Sequence, residues 1–253
     1  MNVKSWIVFT LLLCATLVRA QVAAPATKAA AQDPTTPAVK ADQDGKPNDR
    51  FMKRHEEFVE RAKKGDVDVL FLGDSITEGW KNNGKDVWAK ELAEYKTANF
   101  GIGGDRTQHV LWRIENGELD GIKPKVVVLM IGTNNTNSDD PEKIAQGVEK
   151  IVHQIHDKAG SKVLLLGVFP REDPKGDQEK TRMYQDKIAK INSRISKLDD
   201  GGKTVRYLDL KDKFVESDGT ISKDIMPDKL HLSKDGYQRW ADGIKEPLAE
   251  MTK

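Results

Sequence analysis

The chain is poor in cysteine and has no excess of charge of either sign. Its only cysteine is Cys14, so no disulfide within the chain can stabilise the fold. Lysine and arginine number 41 against 40 aspartates and glutamates, with no basic stripe, which argues against a nucleic-acid partner. No apolar run reaches the roughly 20 residues that a membrane-spanning helix needs. With 253 residues, the chain is long enough for one mid-sized domain stabilised by its own core.

The first twenty residues have the pattern of a secretory signal peptide. Lys4 precedes an apolar run of about a dozen residues, 6–17, and Ala20 ends a segment with the residue type expected before a cleavage site. Cleavage after Ala20 would remove Cys14 and leave no thiol in the mature chain. We therefore predict a signal peptide over residues 1–20 and a secreted or periplasmic protein. The alternatives are a retained membrane anchor and a lipoprotein modified at Cys14.

Residues 21–48 are rich in Ala, Pro, Thr, Lys and Asp and contain almost no large apolar side chains. Such a segment buries too little apolar surface to offset its loss of conformational entropy, which predicts a disordered linker. A folded domain over residues 49–253 is expected to begin with a helix that Asn48 or Asp49 caps and that extends through Lys64.

Apolar segments alternate with helical patterns through this domain. Short apolar runs predict five strands, at 67–72, 96–100, 126–131, 163–169 and 205–208. Helices are indicated by apolar residues at spacings of three and four: Ile144, Val148, Ile151 and Ile155; Tyr184, Ile188, Ile191, Ile195 and Leu198; Tyr237, Trp240, Ile244 and Leu248. The alternation predicts an α/β three-layer sandwich with a five-stranded parallel sheet, flavodoxin-like in type. Ligands of such sheets bind at the carboxyl ends of the strands.

A serine follows the first predicted strand, in the segment Gly73-Asp74-Ser75-Ile76-Thr77-Glu78-Gly79-Trp80. A serine at this position exposes its hydroxyl in the cleft, and its own N–H can face a bound oxyanion. The alternative is that Asp74 or Ser75 only caps the next helix. The nucleophile elbow of α/β-hydrolases is disfavoured, because Thr77 stands where that motif requires glycine.

Two further polar loops follow the second and third predicted strands. Residues 101–104 contain three glycines, including Gly104, which allow the backbone to approach a ligand closely or to form a tight turn. A dinucleotide fingerprint is excluded because Arg106 occupies its last glycine position. Asn134, after the third strand, can donate its side-chain amide to an oxyanion, although asparagine is common in such loops.

An Asp-x-x-His pair lies near the C-terminus. The carboxylate of Asp228 can reach back to one ring nitrogen of His231, fix its tautomer and orient the other nitrogen toward a serine. The remaining four histidines are interpreted as surface or packing residues: His55, His109, His153 and His156. The last two are three residues apart on a helix and could hold a metal, but no third ligand is evident.

These blocks all follow predicted strands at one edge of the sheet, as a nucleophile, oxyanion donors and a base would. Together they resemble the SGNH hydrolase superfamily, also called GDSL esterases and lipases. Residues 99–105 (NFGIGGD) and 109–117 (HVLWRIENG) are similar to the catalytic subunits of platelet-activating-factor acetylhydrolase type Ib. The segment 75–80 also resembles bacterial carbohydrate acetylesterases of the same superfamily. Ile76, where the name-giving motif has leucine, is a small departure.

The resemblance implies a role for each matching residue. Ser75 would be the nucleophile, His231 the base and Asp228 its orienter. The oxyanion hole would consist of the N–H groups of Ser75 and Gly104 and the side-chain amide of Asn134. It implies no metal or cofactor and allows a homodimer.

The expected function is a secreted esterase for short-acyl, above all acetyl, esters, with an O-acetylated carbohydrate as a candidate substrate. The charged segment 171–177 after the fourth strand favours a hydrophilic alcohol if it borders the site; the alternative is an ordinary solvent-exposed loop. Because the animal relatives are cytosolic, their lipid substrate is kept only as an alternative. The same fold would also suit an acyltransferase or a non-catalytic glycan-binding protein, and the intact set of five residues speaks against the second of these.

Overall fold

The computed structural model describes residues 32–253. The predicted signal peptide, residues 1–20, lies outside the described residues, as does the first part of the predicted linker. None of the described helices is long and apolar enough to cross a membrane.

Five parallel strands form one sheet with the order β2-β1-β3-β4-β5. The strands are β1 (Val69–Gly73), β2 (Thr97–Gly101), β3 (Val126–Met130), β4 (Lys162–Leu166) and β5 (Val205–Leu208). The chain order along the sheet reverses at β1, which lies between β2 and β3, and ligands bind at such a switch point. The prediction of a five-stranded parallel sheet in an α/β fold is confirmed.

Helices cover both faces of the sheet. They are α1 (Asp49–Lys63), α2 (Ser75–Glu78), α3 (Lys85–Glu91), α4 (Thr107–Arg113), α5 (Pro141–Ala159), α6 (Gln178–Ile195), α7 (Lys211–Phe214) and α8 (Lys234–Met251). Helix α1 begins as predicted, because the side chain of Asn48 accepts the N–H of Phe51.

Two apolar clusters form the core, one between the sheet and the helices on each of its faces. One face packs against α1, α4, α5 and α6, and the other against α3, α7 and α8. Strand β1 contributes to both, since Leu70 and Leu72 point into the first cluster and Val69 and Phe71 into the second. All five residues of β1 are buried, which explains why this strand reads as a continuous apolar run.

Strand β4 is shorter than predicted, ending at Leu166 rather than at Phe169. The side chain of Asn192, on α6, accepts the N–H of Val168 at 2.8 Å and donates to its carbonyl at 3.1 Å. At Val168 the side-chain amide of Asn192 thus makes the two backbone hydrogen bonds that a neighbouring strand would otherwise make. Residues 167–169 remain apolar in sequence because they are buried, but they form a loop and not a strand.

The predicted disordered linker over residues 21–48 is wrong for residues 32–48, which pack against α4 and α5. Pro34 is buried, and its carbonyl accepts the hydroxyl of Thr107 at 2.8 Å. Ala38 N–H donates to the carbonyl of Gln108 at 3.1 Å. Hydrogen bonds to the domain, together with the packing of Val39 against the first apolar cluster, hold this segment, which we call the N-terminal strap (residues 32–48).

Candidate active site

Ser75 is the first residue of α2, directly beyond the carboxyl end of β1. The preceding turn is tight: a Cβ on Gly73 would clash with the carbonyl oxygen of Met130 on β3 and with the hydroxyl of Thr77. Asp74 caps α2 by accepting the N–H of Ile76 at 3.0 Å. The cap is Asp74, and the partly buried Ser75 follows it directly. The two interpretations of this segment therefore both apply, to different side chains.

Asp74 is fully buried beneath this turn. Its burial raises its pKa to about 6, although the hydrogen bond from Ile76 and the nearby charges of His231 and Arg171 act in the opposite direction. The carboxyl group thus contributes a titratable charge just below the serine.

Ser75, His231 and Asp228 form one chain of hydrogen bonds. The hydroxyl oxygen of Ser75 lies 2.8 Å from Nε2 of His231. Nδ1 of the same ring lies 2.6 Å from Oδ2 of Asp228. A proton on Nδ1 leaves Nε2 free to accept the serine proton, so the arrangement can generate a nucleophilic alkoxide.

The Asp-x-x-His spacing closes a tight turn that fixes the histidine. Oδ1 of Asp228 accepts the backbone N–H groups of Leu230 at 3.1 Å and His231 at 2.7 Å. Lys229, between them, has a left-handed backbone with φ of 67°. Burial alone would raise the pKa of Asp228, but the hydrogen bonds from the His231 ring and backbone hold it below its ordinary value. The carboxylate therefore stays charged beside the imidazole.

The glycine loop after β2 and the asparagine loop after β3 meet beside this chain. Gly104 has φ of 76°, a conformation that favours glycine. Nδ2 of Asn134 donates to the carbonyl of Asp105 at 2.9 Å, which places its amide one residue from Gly104. The second Nδ2 hydrogen of Asn134 is left for another acceptor.

The two asparagines of this loop have different tasks. Asn135 is fully buried, accepts the N–H of Thr107 at 3.0 Å, and donates to Asp139 at 2.7 Å. It ties the two loops together, whereas Asn134, beside it, is only partly buried. The predicted residue Asn134 is thus the one that can reach a ligand.

A buried group of charges beneath these loops was missed by the sequence analysis. Arg113 is fully buried; its Nε lies 3.0 Å from Oδ2 of Asp105 and its Nη1 lies 2.8 Å from Oε2 of Glu118. His55 completes the group at 3.0 Å from Glu118. Arg113 also donates to the carbonyl of Gly73 at 3.3 Å, so it connects the β1 turn to the glycine loop.

The sequence signal for this buried group is a charged residue, Arg113, among the apolar residues on one face of a helix. Arg113 lies three residues after Val110 and immediately before Ile114, on the face of α4 that enters the core. A buried arginine needs carboxylate partners, and Asp105 and Glu118 are near it along the chain. Burial raises the pKa of Asp105 to about 7, against the effect of the Arg113 charge.

Residues 171–173 brace the loops of the site, whereas residues 174–177 are exposed to solvent. Arg171 is buried, stacks 3.9 Å from the ring centre of Tyr184, and donates to the carbonyl of Thr133 at 3.3 Å. Glu172 forms an ion pair with Lys229 at 2.9 Å. These contacts hold the loops that carry Asn134 and Asp228.

The acid–base end of the hydrogen-bonded chain is open to solvent, since the side chains of His231 and Asp228 are 43% and 53% exposed. Ser75 itself is partly buried. The geometry thus combines an activated hydroxyl with nearby amide donors, the requirements of acyl transfer.

A family model described as the GDSL-like lipase/acylhydrolase family matches residues 71–239. The chain is 40% identical over 205 residues to platelet-activating factor acetylhydrolase IB subunit alpha2 of Rattus norvegicus, covering 81% of this chain and 84% of the rat protein. It is 38% identical over 197 residues to subunit alpha1 of Bos taurus, covering 77% and 81%.

Solved structures show the same fold at lower identity. A GDSL-like lipase from Bacteroides thetaiotaomicron superposes with a TM-score of 0.61 at 22% identity, covering 79% of this chain and 97% of the lipase. The acetyl xylan esterase AlAXEase superposes with a TM-score of 0.56 at 21% identity, covering 71% and 98%. At these identities the likeness shows the fold alone.

Proposed function

The chain belongs to the GDSL-like lipase/acylhydrolase family and is an ester hydrolase, and we propose that it removes short acyl groups, above all acetyl, with Ser75 as nucleophile. The observation that carries the assignment is the continuous hydrogen-bonded chain from Ser75 through His231 to Asp228, at 2.8 and 2.6 Å.

The proposed reaction has two steps. As the Ser75 oxygen attacks the ester carbonyl, its proton passes to Nε2 of His231, and Asp228 stabilises the imidazolium that results. Collapse of the tetrahedral intermediate breaks the ester bond, and the leaving alcohol takes the proton from His231. Water then attacks the acyl-serine with His231 again as base, releasing the carboxylic acid and restoring the hydroxyl.

Three donors are proposed for the oxyanion of the intermediate. They are the N–H groups of Ser75 and Gly104 and the side-chain amide of Asn134. The positive φ of Gly104 and the hydrogen bond that holds Asn134 against the carbonyl of Asp105 support this assignment. Because these donors are fixed before substrate binds, little reorganisation is needed as charge develops.

The acetyl preference rests on the relatives, which are named as acetylhydrolases and share about two-fifths of their residues with most of this chain. The same names support a second candidate, a platelet-activating-factor-like lipid ester. The open position of His231 and Asp228 supports the first candidate, an ester with a hydrophilic alcohol such as a sugar, because a polar alcohol can remain in water while its acetyl group reaches Ser75.

Hydrolysis of p-nitrophenyl esters with acyl chains of two to eight carbons tests the proposal. We expect activity that falls steeply beyond acetate and that Ser75→Ala abolishes, while Ser217→Ala, at an exposed serine between α7 and α8, retains it. Activity that survives in the Ser75 variant would refute the assignment of the nucleophile. Equal rates on acetate and octanoate would refute the short-acyl preference.

A second assay separates the two candidate alcohols. Release of acetate is measured from a peracetylated oligosaccharide and from platelet-activating factor, at matched acetyl concentration and with Ser75→Ala as the blank. Faster release from the oligosaccharide supports the hydrophilic alcohol, and faster release from the lipid supports the second candidate.

Export of the protein remains part of the proposal and rests on the sequence of residues 1–20 alone. The full chain, expressed in a bacterial host, should accumulate outside the cytoplasm with Gln21 as its first residue. Sequencing the N-terminus of the fractionated protein checks this, and an intact Met1 in the cytoplasm would contradict it.

A further inference from the structure

The N-terminal strap places a lysine on the glycine loop of the candidate oxyanion hole. Nζ of Lys40 donates to the carbonyl of Gly103 at 2.6 Å and lies 3.9 Å from Oδ1 of Asp105. A Cβ on Gly104 would lie 2.8 Å from the same nitrogen. The side chain of Lys40 is 23% exposed, so its ammonium is largely withdrawn from water. Lys40 lies outside residues 71–239, the part that matches the family model.

We propose that Lys40 is a positioning residue of the oxyanion hole, which orients and polarises the peptide between Gly103 and Gly104 so that the Gly104 N–H becomes a stronger donor. The inference rests on the proposed function, in which that N–H receives the oxyanion.

Lys40 and the oxyanion would bind opposite ends of one peptide group. In a trans peptide, the carbonyl of Gly103 and the N–H of Gly104 point in opposite directions and share one delocalised system. A positive charge bonded to the carbonyl draws electron density toward oxygen and leaves the N–H more positive, which is the usual cooperativity of linked hydrogen bonds. Lys40 therefore acts through the peptide and need not touch the substrate.

The strap holds Lys40 firmly enough for this task. The carbonyl of Lys40 accepts the N–H of Asn48 at 2.8 Å, and Ala41 pairs with Pro47 in an antiparallel bridge. Two residues before Lys40, the N–H of Ala38 bonds to the carbonyl of Gln108 on α4. The lysine thus extends from a closed turn that is anchored on the helix following the glycine loop.

The N–H of Gly103 is held by a different residue from the one that binds its carbonyl. Its N–H donates to Oε2 of Glu78 at 2.8 Å, and Glu78 is itself paired with Arg50 at 2.7 Å. Glu78 sets the position of the loop, while the carbonyl that Lys40 binds sets the orientation of the next peptide. Loss of Lys40 should therefore weaken one oxyanion donor without collapsing the loop.

The test compares Lys40→Met, which keeps most of the length of the side chain, with Lys40→Arg, which keeps the charge and donors. Lys46→Met is the matched control, because Lys46 belongs to the same strap but its side chain is 81% exposed and, within residues 32–253, forms an ion pair with Asp44 alone. We expect Lys40→Met to lower kcat about tenfold, less than the loss of a whole oxyanion donor costs. KM and the thermal midpoint should stay near wild type, and Lys40→Arg should recover most of kcat.

A readout that does not need turnover keeps this inference separate from the proposed function. In protein labelled with 15N-glycine, the Gly104 amide proton should move upfield in Lys40→Met, return in Lys40→Arg, and stay in place in Lys46→Met. A wild type without Ser75-dependent hydrolysis would remove the proposed function, whereas an unmoved Gly104 amide would overturn the polarisation by Lys40. A Lys40→Met enzyme with unchanged kcat would also overturn it.

Discussion

Acid should destabilise the fold through His109, a buried histidine on α4. Its side chain is 7% exposed, and its Nδ1 accepts the N–H of Arg106 at 3.1 Å. Burial lowers the pKa of His109 to about 3 from the usual 6.5, with the charges of Lys40, Arg106 and Arg113 acting in the same direction. The folded protein therefore holds this ring neutral through the range in which an unfolded chain takes up a proton.

The size of the effect follows from that difference in pKa. The stability contributed by the neutral ring is fully present above pH 6.5 and is lost as the pH falls from 6.5 toward 3, since only the unfolded state binds the proton. Each pH unit in this window costs up to about 1.4 kcal/mol, so between pH 8 and pH 5 the loss amounts to about 2 kcal/mol. That is a large share of the roughly 5–15 kcal/mol that stabilises a typical domain.

Two buried carboxyl groups act in the opposite direction and must be separated from this effect. Burial raises the pKa of Asp74 to about 6 and that of Asp105 to about 7, so the folded protein binds these protons before the unfolded chain does. They favour the folded state as the pH falls through those values. The pH dependence of the wild type alone is therefore a sum of opposing contributions.

The His109→Gln variant isolates the histidine, because glutamine can still accept the Arg106 N–H but has no proton to gain. Urea unfolding at pH 8, 6.5 and 5 gives the free energy of unfolding of each protein. The wild type should lose about 2 kcal/mol relative to the variant between pH 8 and pH 5. His153→Gln, at a histidine that is 67% exposed on α5, is the matched control. Parallel curves for wild type and His109→Gln would refute the argument.

Two further substitutions test the site and its support. Asn134→Ala should lower kcat about a hundredfold with little change in KM, because it removes the proposed oxyanion donor that the carbonyl of Asp105 holds in place. Steady-state kinetics on p-nitrophenyl acetate checks this, and a change confined to KM would contradict it. Arg113→Met should cost about 3–5 kcal/mol of unfolding free energy, because it removes the buried arginine shared by Asp105 and Glu118, whose remaining partners Lys40 and His55 replace it only in part. The control Arg194→Met removes only half-exposed ion pairs and should cost about 1 kcal/mol or less; equal losses in the two arginine variants, measured by urea unfolding, would contradict the buried-pair argument.

Most of the fold could be predicted from the sequence because local apolar patterns determine it. Strand β5 has the predicted bounds, Val205–Leu208, and the apolar residues predicted for α5 are all buried. The end of β4 could not be predicted, since it depends on the side chain of Asn192, more than twenty residues away. Local periodicity carries no information about such a contact.

The N-terminal strap could not be predicted for a related reason. Composition measures how much apolar surface a segment can bury, and residues 32–48 have little. It does not measure the hydrogen bonds that another part of the chain offers, such as those from the Thr107 hydroxyl to Pro34 and from Ala38 to the Gln108 carbonyl. The residue that we infer to position the oxyanion hole, Lys40, therefore lies in a segment whose composition predicts disorder.

The candidate site itself was accessible to sequence reasoning because parallel strands bring their carboxyl ends to one edge. Ser75 and His231 are 156 residues apart in the chain and 2.8 Å apart in the structure. The loops at that edge bring the two residues together, and a serine or a histidine in such a loop is a residue type that can serve as nucleophile or base. The supporting charges were missed because α4 was not among the predicted helices, so the apolar neighbours of Arg113, Val110 and Ile114, were not recognised as a buried stripe.

Exposed side chains are usually mobile, but the exposed ring of His231 is held in a fixed orientation. His231 is 43% exposed, yet its backbone N–H and its ring both bond to Asp228, and the turn between them is tied by the Lys229–Glu172 ion pair. The orientation of His231 thus comes from contacts within its own loop and from the ion pair to Glu172, and it does not require the ring to be buried. Because the ring can stay oriented while it is accessible to solvent, a large alcohol group can remain in water as its acyl group reaches Ser75, and we expect acyl length to be discriminated more strongly than the size of the alcohol.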